Sequence, residues 1–431
     1  MTTAKKATNI RATIDATWGS GEGKLQLDDI FQDDPAKSRP LTGSTLLRDK
    51  SLLVTSTFDN SSFFISKLNH LGAVDLAFGV EGRVVGSFLA NEQAAGGPIA
   101  EGADGRLFMA GSTTNGKSSE VSPAILCLDS KGNRVSSFGD NGQVIIDPPN
   151  TQRLTKKGPA FVFALPDGSI IVGVDYHTPD VLRAHLYKFD AQGAPVKAFG
   201  TDGRVEIKHR LRHASTSLSD GCVLDNGLLL FAGYEKYEPD VNTDGLVVML
   251  NSDSGAPHEN FGHPERPGIL VVRYNSRGAE LNTVRQRAPN RFTASGYTNM
   301  GNALSERYGM LIAFDEEGKP DFDVFGSPNI MPLPADLGSD RRVNWADHVP
   351  FADNIVVSGG DEKGNYIACV KARSGGYNSD FSDAGGVIPR EETTDSLSRL
   401  HYQQDPGKLI VALNINPENP LGCLYRYNIA Q

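Results

Sequence analysis

The chain has 431 residues, with 42 basic and 52 acidic side chains and a formal net charge of −10. This balance argues against general binding of polyanions by the whole molecule, so no nucleic-acid partner is expected, although a local basic patch is compatible with it. No uninterrupted apolar run approaches the ~18 residues of a membrane-spanning helix, so no membrane partner is expected either.

Residues 1–11 are polar and include Lys5 and Lys6, but they lack the apolar stretch of a signal peptide. We therefore predict a polar tail at 1–11 and a cytoplasmic protein, with non-classical export left open. The four cysteines are far apart and show no metal-binding spacing; they are Cys127, Cys222, Cys369 and Cys423. This pattern predicts reduced thiols that pack as small hydrophobic groups.

One phrase recurs along the chain: a glycine turn, a few residues, an aromatic residue, a small residue and then a short strand. Clear copies occupy 72–79, 132–139 and 193–200. The aromatic residue of each copy, here called the anchor, lies at Trp18, Phe78, Phe138, Phe199, Phe261, Phe325 and Phe381. Successive anchors are 56 to 64 residues apart, which indicates an internal repeat of about sixty residues.

The unit that follows Phe78 shows the predicted strands in chain order. A short strand at 83–85 comes first, and a polar connection leads to a second strand that ends in the tight turn 103–105. A third strand at 107–110 follows at once, and a variable loop leads to a fourth at 124–128. Asp-Gly in the turn favours positive φ and a hairpin. No ten-residue helical periodicity is present in the chain.

Four short antiparallel strands per unit, repeated radially, are typical of a β-propeller. We predict an all-β, seven-bladed propeller of four-stranded blades in a single domain over residues 12–431. The strand at 24–27 lacks the three strands that precede it in other units, and the last unit lacks its fourth strand. The N-terminal strand is therefore predicted to complete the last blade, which removes two exposed sheet edges. Two separate β-domains are disfavoured, because the period crosses every plausible boundary.

The phrase Gly-x-x-Asp-x-x-Phe-Gly at this spacing resembles the bacterial delta-60 repeat family and is more distantly similar to NHL-type propeller repeats. The resemblance covers essentially the whole chain and implies a propeller, but it implies no particular activity. Several copies depart from the phrase, because the acidic position is occupied by Val135, Val196, His258 and Asn378. A metal site shared by every blade is therefore not expected.

Residues 111–118 match the phosphate-loop pattern GxxxxGK[ST] letter for letter. A phosphate loop needs a helix after it, so that backbone amides at the helix N-terminus bind the phosphate, and here another strand follows. We interpret the match as a coincidence. The chain also lacks a nucleophile elbow, a zinc-binding helix motif and a calcium-binding loop. No catalytic residue, metal or cofactor is predicted.

The connections that enter the inner strands share one rim of the predicted propeller with the loops between the middle strands. In the third to sixth repeats these loops combine cations with tyrosines, a combination that suits an anionic or sugar-like ligand. The candidate ligand-binding residues are Arg153, Lys157, Tyr176, His177, Arg210, Arg212, Tyr234, Tyr237, Arg277, Tyr297, Arg341 and Arg342. An ordinary mixed surface is the alternative, because Glu235 and Asp244 share this rim.

The innermost strands are expected to line an axial channel. The candidate channel residues are Arg285, Arg287, Trp345, His348, Arg399 and His401. Polar side chains are expected in a wet channel whatever the function, so these residues alone do not define an activity.

The sequence favours a non-enzymatic binding or protein-interaction platform that uses the variable rim loops, because repeats present loops and no catalytic constellation is legible. The first alternative is a carbohydrate-binding, lectin-like protein. The second is a hydrolase or lyase with its site at the mouth of the axial channel. The expected partner is a protein or a glycan, and the expected state is a monomer.

Overall fold

The structure, a computed structural model, is an all-β, seven-bladed propeller whose strands form seven antiparallel sheets around a common axis. The fold class predicted from the repeat is thereby confirmed. The described residues are 10–19, 21–31, 40–58, 61–115, 120–149, 153–154, 158–208, 213–237, 243–274, 278–299, 307–325, 329–331, 343–361, 364–390, 398–415 and 420–430.

Each blade runs from an inner strand at the axis to an outer strand at the periphery. Blade 1 contains β3 (Leu41–Leu46), β4 (Leu52–Phe58), β5 (Ser62–Leu68) and β6 (Arg83–Gly86). Blade 2 contains β7 (Ala94–Ala95), β8 (Ile99–Glu101), β9 (Leu107–Asn115), β10 (Glu120–Leu128) and β11 (Gln143–Ile145). Blade 3 contains β12 (Arg153–Leu154), β13 (Phe161–Ala164), β14 (Ile170–His177), β15 (Leu182–Phe189) and β16 (Arg204–Ile207).

The next three blades repeat this order. Blade 4 contains β17 (Ala214–Val223), β18 (Leu228–Tyr237), β19 (Thr243–Asn251), the short strands β20 (Gly262–His263) and β21 (Arg266–Pro267), and β22 (Ile269–Val272). Blade 5 contains β23 (Ala279–Ala288), β24 (Arg291–Asn299), β25 (Arg307–Asp315) and β26 (Asn329–Met331). Blade 6 contains β27 (Asn344–Phe351), β28 (Asn354–Asp361), β29 (Gly364–Lys371) and β30 (Val387–Arg390).

Blade 7 joins the two ends of the chain. Its C-terminal strands are β31 (Ser398–Gln403), β32 (Lys408–Ile415) and β33 (Leu421–Ala430), and its N-terminal strands are β1 (Arg11–Ile14) and β2 (Lys24–Gln26). Both N-terminal strands pair antiparallel with β33. The predicted donation of an N-terminal strand is therefore confirmed, but two strands are donated, and β1 begins one residue inside the predicted tail. Leu27 belongs to the short helix α1 (Leu27–Phe31) and not to the strand.

The repeated phrase builds the contact between neighbouring blades. The backbone N–H of Gly139, next to the Phe138 anchor, donates to the carbonyl of Gln192 in the following blade at 2.7 Å. The Phe138 ring is fully buried, and a Cβ added at Gly193 would lie 3.2 Å from its Cε2 atom and 2.9 Å from the Gly139 nitrogen. Gly193 also has a φ of +82°. The repeated phrase therefore requires glycine at this turn, because the Phe138 ring and the Gly139 backbone leave no space for a side chain.

The same bond recurs around the ring. The N–H of Gly79 donates to Lys131 at 2.7 Å, and the N–H of Gly200 donates to Ser254 at 2.8 Å. The hydrophobic core accordingly lies between blades as well as within them, so Phe108 of blade 2 packs with Phe138 and with Val172 of blade 3. The four cysteines sit in this apolar packing and form no disulfide among the described residues.

Ring closure depends on a buried ion pair. Asp15 follows β1 and is 2 % exposed. Its Oδ2 atom accepts hydrogen bonds from Lys408 Nζ at 2.7 Å and from Arg426 Nε at 2.8 Å. Burial raises the pKa of Asp15, but the hydrogen bonds from Lys408 and Thr17 and the charge of Arg426 outweigh it and lower the pKa to about 2. Arg426 also donates to the carbonyl of His70 in blade 1, so this cluster holds the two ends of the ring together.

Replacing an anchor is expected to destabilise the propeller strongly. Phe78 is 1 % exposed and packs between blades, whereas Leu76, two residues earlier, is 73 % exposed. Phe78→Ala is expected to lower the free energy of unfolding by about 3–5 kcal/mol, because it removes a fully buried ring and leaves a cavity. Leu76→Ala is the matched control and is expected to change it by less than about 0.5 kcal/mol. Denaturant titration measures both, and equal stability of the two variants would contradict the packing.

Removing the closing carboxylate is expected to loosen the ring. Asp15→Asn leaves Arg426 and Lys408 without a charge partner among the described residues and is expected to cost about 3–5 kcal/mol of stability. The exposed pair between Arg11 and Asp383, 2.9 Å apart, provides the control, and Asp383→Asn is expected to cost less than about 1 kcal/mol. Thermal and urea unfolding compare the two, and a small effect of Asp15→Asn would show that closure does not rest on this pair.

Candidate functional site

The two faces of the propeller differ. One face, here called the turn face, carries the tight turns between inner and second strands, such as Leu165–Ser169, which is closed by a 2.8 Å backbone hydrogen bond. The opposite face, here called the loop face, carries the variable connections, and the inner strands begin there. Six of the candidate ligand-binding residues lie outside the described residues: Lys157, Arg210, Arg212, Arg277, Arg341 and Arg342.

The other rim candidates are placed unequally. Arg153 belongs to β12, whose backbone pairs with His177 at the end of β14, and His177 is exposed. Tyr237 is 39 % exposed, whereas Tyr176 is fully buried between blades. The Tyr176 hydroxyl accepts a hydrogen bond from a second buried tyrosine, and burial raises its pKa. Its ring is part of the core and offers no surface to a ligand in this conformation.

A group of half-buried and buried polar side chains crosses blades 3 to 5 below the loop face; we call it the polar row. It consists of Asp175, Ser217, Tyr234, Glu280 and Tyr297. The Ser217 hydroxyl donates to the Asp175 carboxylate, Tyr234 lies opposite Ser217 in the strand pair, and Tyr297 lies opposite Glu280. Burial, followed by the charges of Glu280 and Asp175, raises the pKa of Tyr234 to about 12. Tyr297 is 4 % exposed, so Tyr234 is the more accessible of the two candidate tyrosines in this row.

Bulges shape the inner strands near the axis. The registers of β3, β17, β23 and β27 against their second strands each shift by one residue, between Leu41/Gly43, Leu218/Asp220, Leu281/Thr283 and Trp345/Asp347 respectively. A bulge re-aims the side chains around it. Side chains beside these bulges do not follow the regular alternation between the two faces of a strand. Polar residues of different blades can therefore meet at the axis.

Charged side chains of blades 4, 5 and 6 meet at the axis. The Arg285 guanidinium donates to Asp220 of blade 4 and, at 2.8 Å, to Asp347 of blade 6. The other oxygen of Asp347 accepts from the backbone N–H of Leu400 in blade 7 at 2.9 Å. Burial lowers the pKa of Arg285, but the two carboxylates outweigh it, so the pKa rises and the side chain stays charged. The candidate Arg285 and its partner Asp347 thus link blades 4 to 7.

Asp220 and Asp347 are functional partners that no sequence motif predicts. They lie 65 and 62 residues from Arg285, which is one repeat in each direction. The sequence signal for such partners is a pair of opposite charges at equivalent positions of consecutive repeats. The same spacing joins Asn282 to Asn344, whose side chains hydrogen-bond at 2.6 Å, and Asn282 also donates to the carbonyl of Trp345.

Two other channel candidates are buried side chains. His348 is fully buried, and its ring nitrogens bond to the hydroxyls of Thr283, at 2.8 Å, and Thr293, at 2.9 Å. Burial, followed by the charge of Arg285, holds its pKa well below 6.5, so the imidazole is neutral and structural. Trp345 is also fully buried and packs in the core of blades 5 and 6 rather than facing the axis.

The remaining channel candidates are Arg287, Arg399 and His401. Arg287 lies at the turn-face end of β23 and pairs with Asp321 at 3.1 Å. His401 accepts or donates one hydrogen bond, at 2.8 Å, between its Nε2 atom and the Ser44 hydroxyl of blade 1. Burial, followed by the charges of Arg399 and Arg285, lowers its pKa to about 3. Arg399 is half-buried, and among the described residues it has no hydrogen-bond or ion-pair partner.

A further buried histidine lies away from the axis. His185 in β15 is 1 % exposed and stacks edge-on against Tyr176 at 5.3 Å between ring centres. Neither of its ring nitrogens has a hydrogen-bond partner among the described residues. Burial, followed by the charges of Arg204 and Arg183, lowers its pKa to about 3. No pattern in the sequence marked this position.

Within the part of the chain that the structure describes, no three His, Cys, Asp or Glu side chains come close enough together to hold a metal ion. The same residues contain no helix that is long and apolar enough to cross a membrane.

No protein-family profile matches the chain, and no curated protein matches it. Solved structures share its fold. The polysaccharide lyase Uly1 is 10% identical over 91% of this chain and 90% of its own, with a TM-score of 0.53. The ulvanlyase that represents a new family of polysaccharide lyases is also 10% identical, over 91% of this chain and 94% of its own, with a TM-score of 0.52. At this identity the likeness defines the class of fold, a β-propeller, and nothing further.

Acid is expected to destabilise the propeller through its buried neutral histidines. His185 has a folded pKa of about 3, below the ~6.5 of an unfolded histidine. The unfolded chain therefore binds a proton first, and stability falls as pH drops from about 6.5 towards 3, by about 1.4 kcal/mol per pH unit for each such group.

His185→Phe is expected to remove one such contribution between pH 6.5 and 5 while leaving stability at pH 7 equal or higher, because it also removes two nitrogens without partners. Urea titrations at several pH values measure the slope. His177→Phe, at an exposed position of the same blade, is the control and keeps the slope of the wild type. An unchanged slope in His185→Phe would show that this ring is not held neutral by the fold.

Proposed function

We propose that the protein is a non-enzymatic binding platform that holds its ligand at the loop-face end of the propeller axis. The observation that carries the proposal is the arrangement of charge there. Asp220, Arg285 and Asp347 satisfy one another. Arg399 precedes Leu400, whose backbone donates to Asp347, and it is half-buried without a partner among the described residues. A polar group that is partly withdrawn from water and unpaired is suited to a ligand.

The states of the nearby groups favour binding over catalysis. A general acid or base needs a proton that it exchanges near the working pH. His348 and His401 have depressed pKa values and hydrogen-bond to hydroxyl groups, while Asp220 and Asp347 hold Arg285. These groups stabilise the architecture of the axis, and this supports a rigid surface that recognises a ligand without transforming it.

A carbohydrate ligand is the second candidate, and the polar row favours it. Tyr234 provides a half-buried ring and hydroxyl between two carboxylates, Asp175 and Glu280. Carboxylates accept hydrogen bonds from ligand hydroxyls, and aromatic rings pack on apolar ligand faces. The propellers named above are described as polysaccharide lyases, and the likeness in fold is compatible with a glycan partner for this chain.

A hydrolase or lyase site at the axis is the third candidate. Convergent carboxylates favour it, and Asp220 and Asp347 do converge. Both, however, bond to the same guanidinium, which places them in an ion-pair network rather than in an acid–base pair. We propose further that the chain is a member of the delta-60 repeat class and acts as a monomer in the cytoplasm.

A ligand screen with a matched pair of variants tests the proposed binding site. The wild type is screened by thermal shift against neutral and acidic sugars, nucleotides, peptides and divalent metals, since a ligand that binds only the folded state raises the melting temperature. Asn344→Ala removes a polar group from the first position of β27, at the loop face, and is expected to weaken a responding ligand by about 3- to 10-fold.

Asn226→Ala changes the same side chain in a turn on the opposite face, where Asn226 bonds to the backbone of Leu228. This control is expected to keep the affinity of the wild type. Equal affinities in all three proteins would place the ligand elsewhere and contradict the proposal. Turnover of a bound sugar by the wild type would replace the binding platform with an enzyme.

A further inference from the structure

We infer that the axial site recognises an oxyanion, that is, a carboxylate, sulfate or phosphate group on its ligand, and that Arg399 is the charged contact. The inference rests on the proposed binding function and names the chemistry of the ligand. It begins from a contrast within the described residues: Arg285 and Arg287 both have carboxylate partners, and Arg399 has none.

The position of Arg399 follows from the strand register. Arg399 and His401 lie two residues apart in β31, opposite Ala412 and Ile410 of the second strand, so their side chains share one face. His401 reaches Ser44 of blade 1. All inner strands run from the loop face to the turn face, so Arg399 lies one level nearer the loop face than this contact. Arg399 therefore lies nearer the entrance to the axis than His401 does.

The carboxylates nearest the axis are already engaged. Asp220 and one oxygen of Asp347 bond to Arg285, and the other oxygen of Asp347 accepts from the backbone of Leu400. The charges of Arg399 and Arg285 both act on His401 and lower its pKa. A partly desolvated guanidinium without an anion is unfavourable, and an incoming oxyanion relieves that cost.

The charge count at the site limits the ligand. His401 remains neutral at physiological pH, because its pKa is about 3, so it adds no second positive charge. Arg399 presents a planar fork of N–H donors that fits the two oxygens of one oxyanion. The amides of Asn282 and Asn344, also near the loop-face end, provide neutral polar contacts. This combination fits a polar small molecule with one oxyanion rather than a polyanion.

The test compares ligands that differ by one charged group. Glucuronate and glucose share a sugar ring and differ in the carboxylate, and inorganic sulfate provides the oxyanion without a sugar. Calorimetric titration at constant ionic strength gives each dissociation constant for the wild type, Arg399→Gln, Arg399→Lys and Arg373→Gln. Arg373 is exposed in a turn before the last anchor, so its variant makes the same change of charge outside the axis.

The wild type is expected to bind glucuronate at least tenfold more tightly than glucose. Arg399→Gln is expected to bind glucuronate at least tenfold more weakly than the wild type does. Arg399→Lys is expected to have an intermediate affinity, because it keeps the charge but not the planar fork of donors. Arg373→Gln is expected to match the wild type. If inorganic sulfate binds and its affinity depends on Arg399 in the same way, the oxyanion is sufficient for binding. If glucuronate binds and sulfate does not, the sugar is also needed. Circular dichroism and the Arg399→Lys variant establish that a loss is not a failure to fold.

Failure of this inference is distinguishable from failure of the proposed function. One outcome is that glucose and glucuronate bind equally, and that Asn344→Ala weakens this binding whereas Arg399→Gln does not. This outcome overturns the oxyanion inference and supports the axial site. Affinities that neither axial variant changes overturn both. A wild type that binds neither sulfate nor glucuronate overturns the oxyanion inference.

Discussion

The contact on which the structure depends is the one between an anchor ring and the turn glycine of the next blade. A single blade cannot cover both of its faces, so each blade needs a neighbour on either side. The anchor supplies a buried ring, as at Phe138, and the next repeat supplies a glycine, as at Gly193, that allows close approach. Repetition of this contact sets the spacing of the blades around the axis.

Such an array has two ends unless the chain joins them. Strands β1 and β2 of the N-terminal segment pair with β33 of the C-terminal segment, and the cluster of Asp15, Lys408 and Arg426 fixes this junction with charge-assisted bonds. Closure has a consequence at the axis, because the inner strands of all blades are then held at fixed distances. Near the axis Arg285 reaches carboxylates on both neighbouring blades.

Much of the fold was predictable because it is determined by local sequence signals. Turn residues such as those at 103–105, and anchors spaced 56 to 64 residues apart, each depend on a few neighbours in the chain. The number of blades and the order of strands follow from them. The sequence also indicates closure by the N-terminal strand at 24–27, but it does not indicate the pairing of 11–14, since a segment of four residues is too short to give a clear strand signal.

The site was predictable only in part. Arg285 and Arg399 were identified as axial residues, but the partners of Arg285 depend on bulges in β17 and β27, which no local pattern revealed. The sequence predicts a rim position for Tyr176, but this residue is buried because its strand continues into the interface between blades 2 and 3. Burial of this kind is a property of three-dimensional packing and does not follow from the position of a residue in a strand.

Hydrogen exchange on the intact chain is the most direct test of the claim that a closed ring holds the axial site. A closed ring opens only with the whole molecule, so the amides of β1 and β33 are predicted to exchange as slowly as those of β17 and β18 in blade 4, at a rate set by global unfolding. Exchange of β1 that is orders of magnitude faster, with blade 4 still protected, would contradict the account, because the ring would then open without unfolding and the axis would not be rigid.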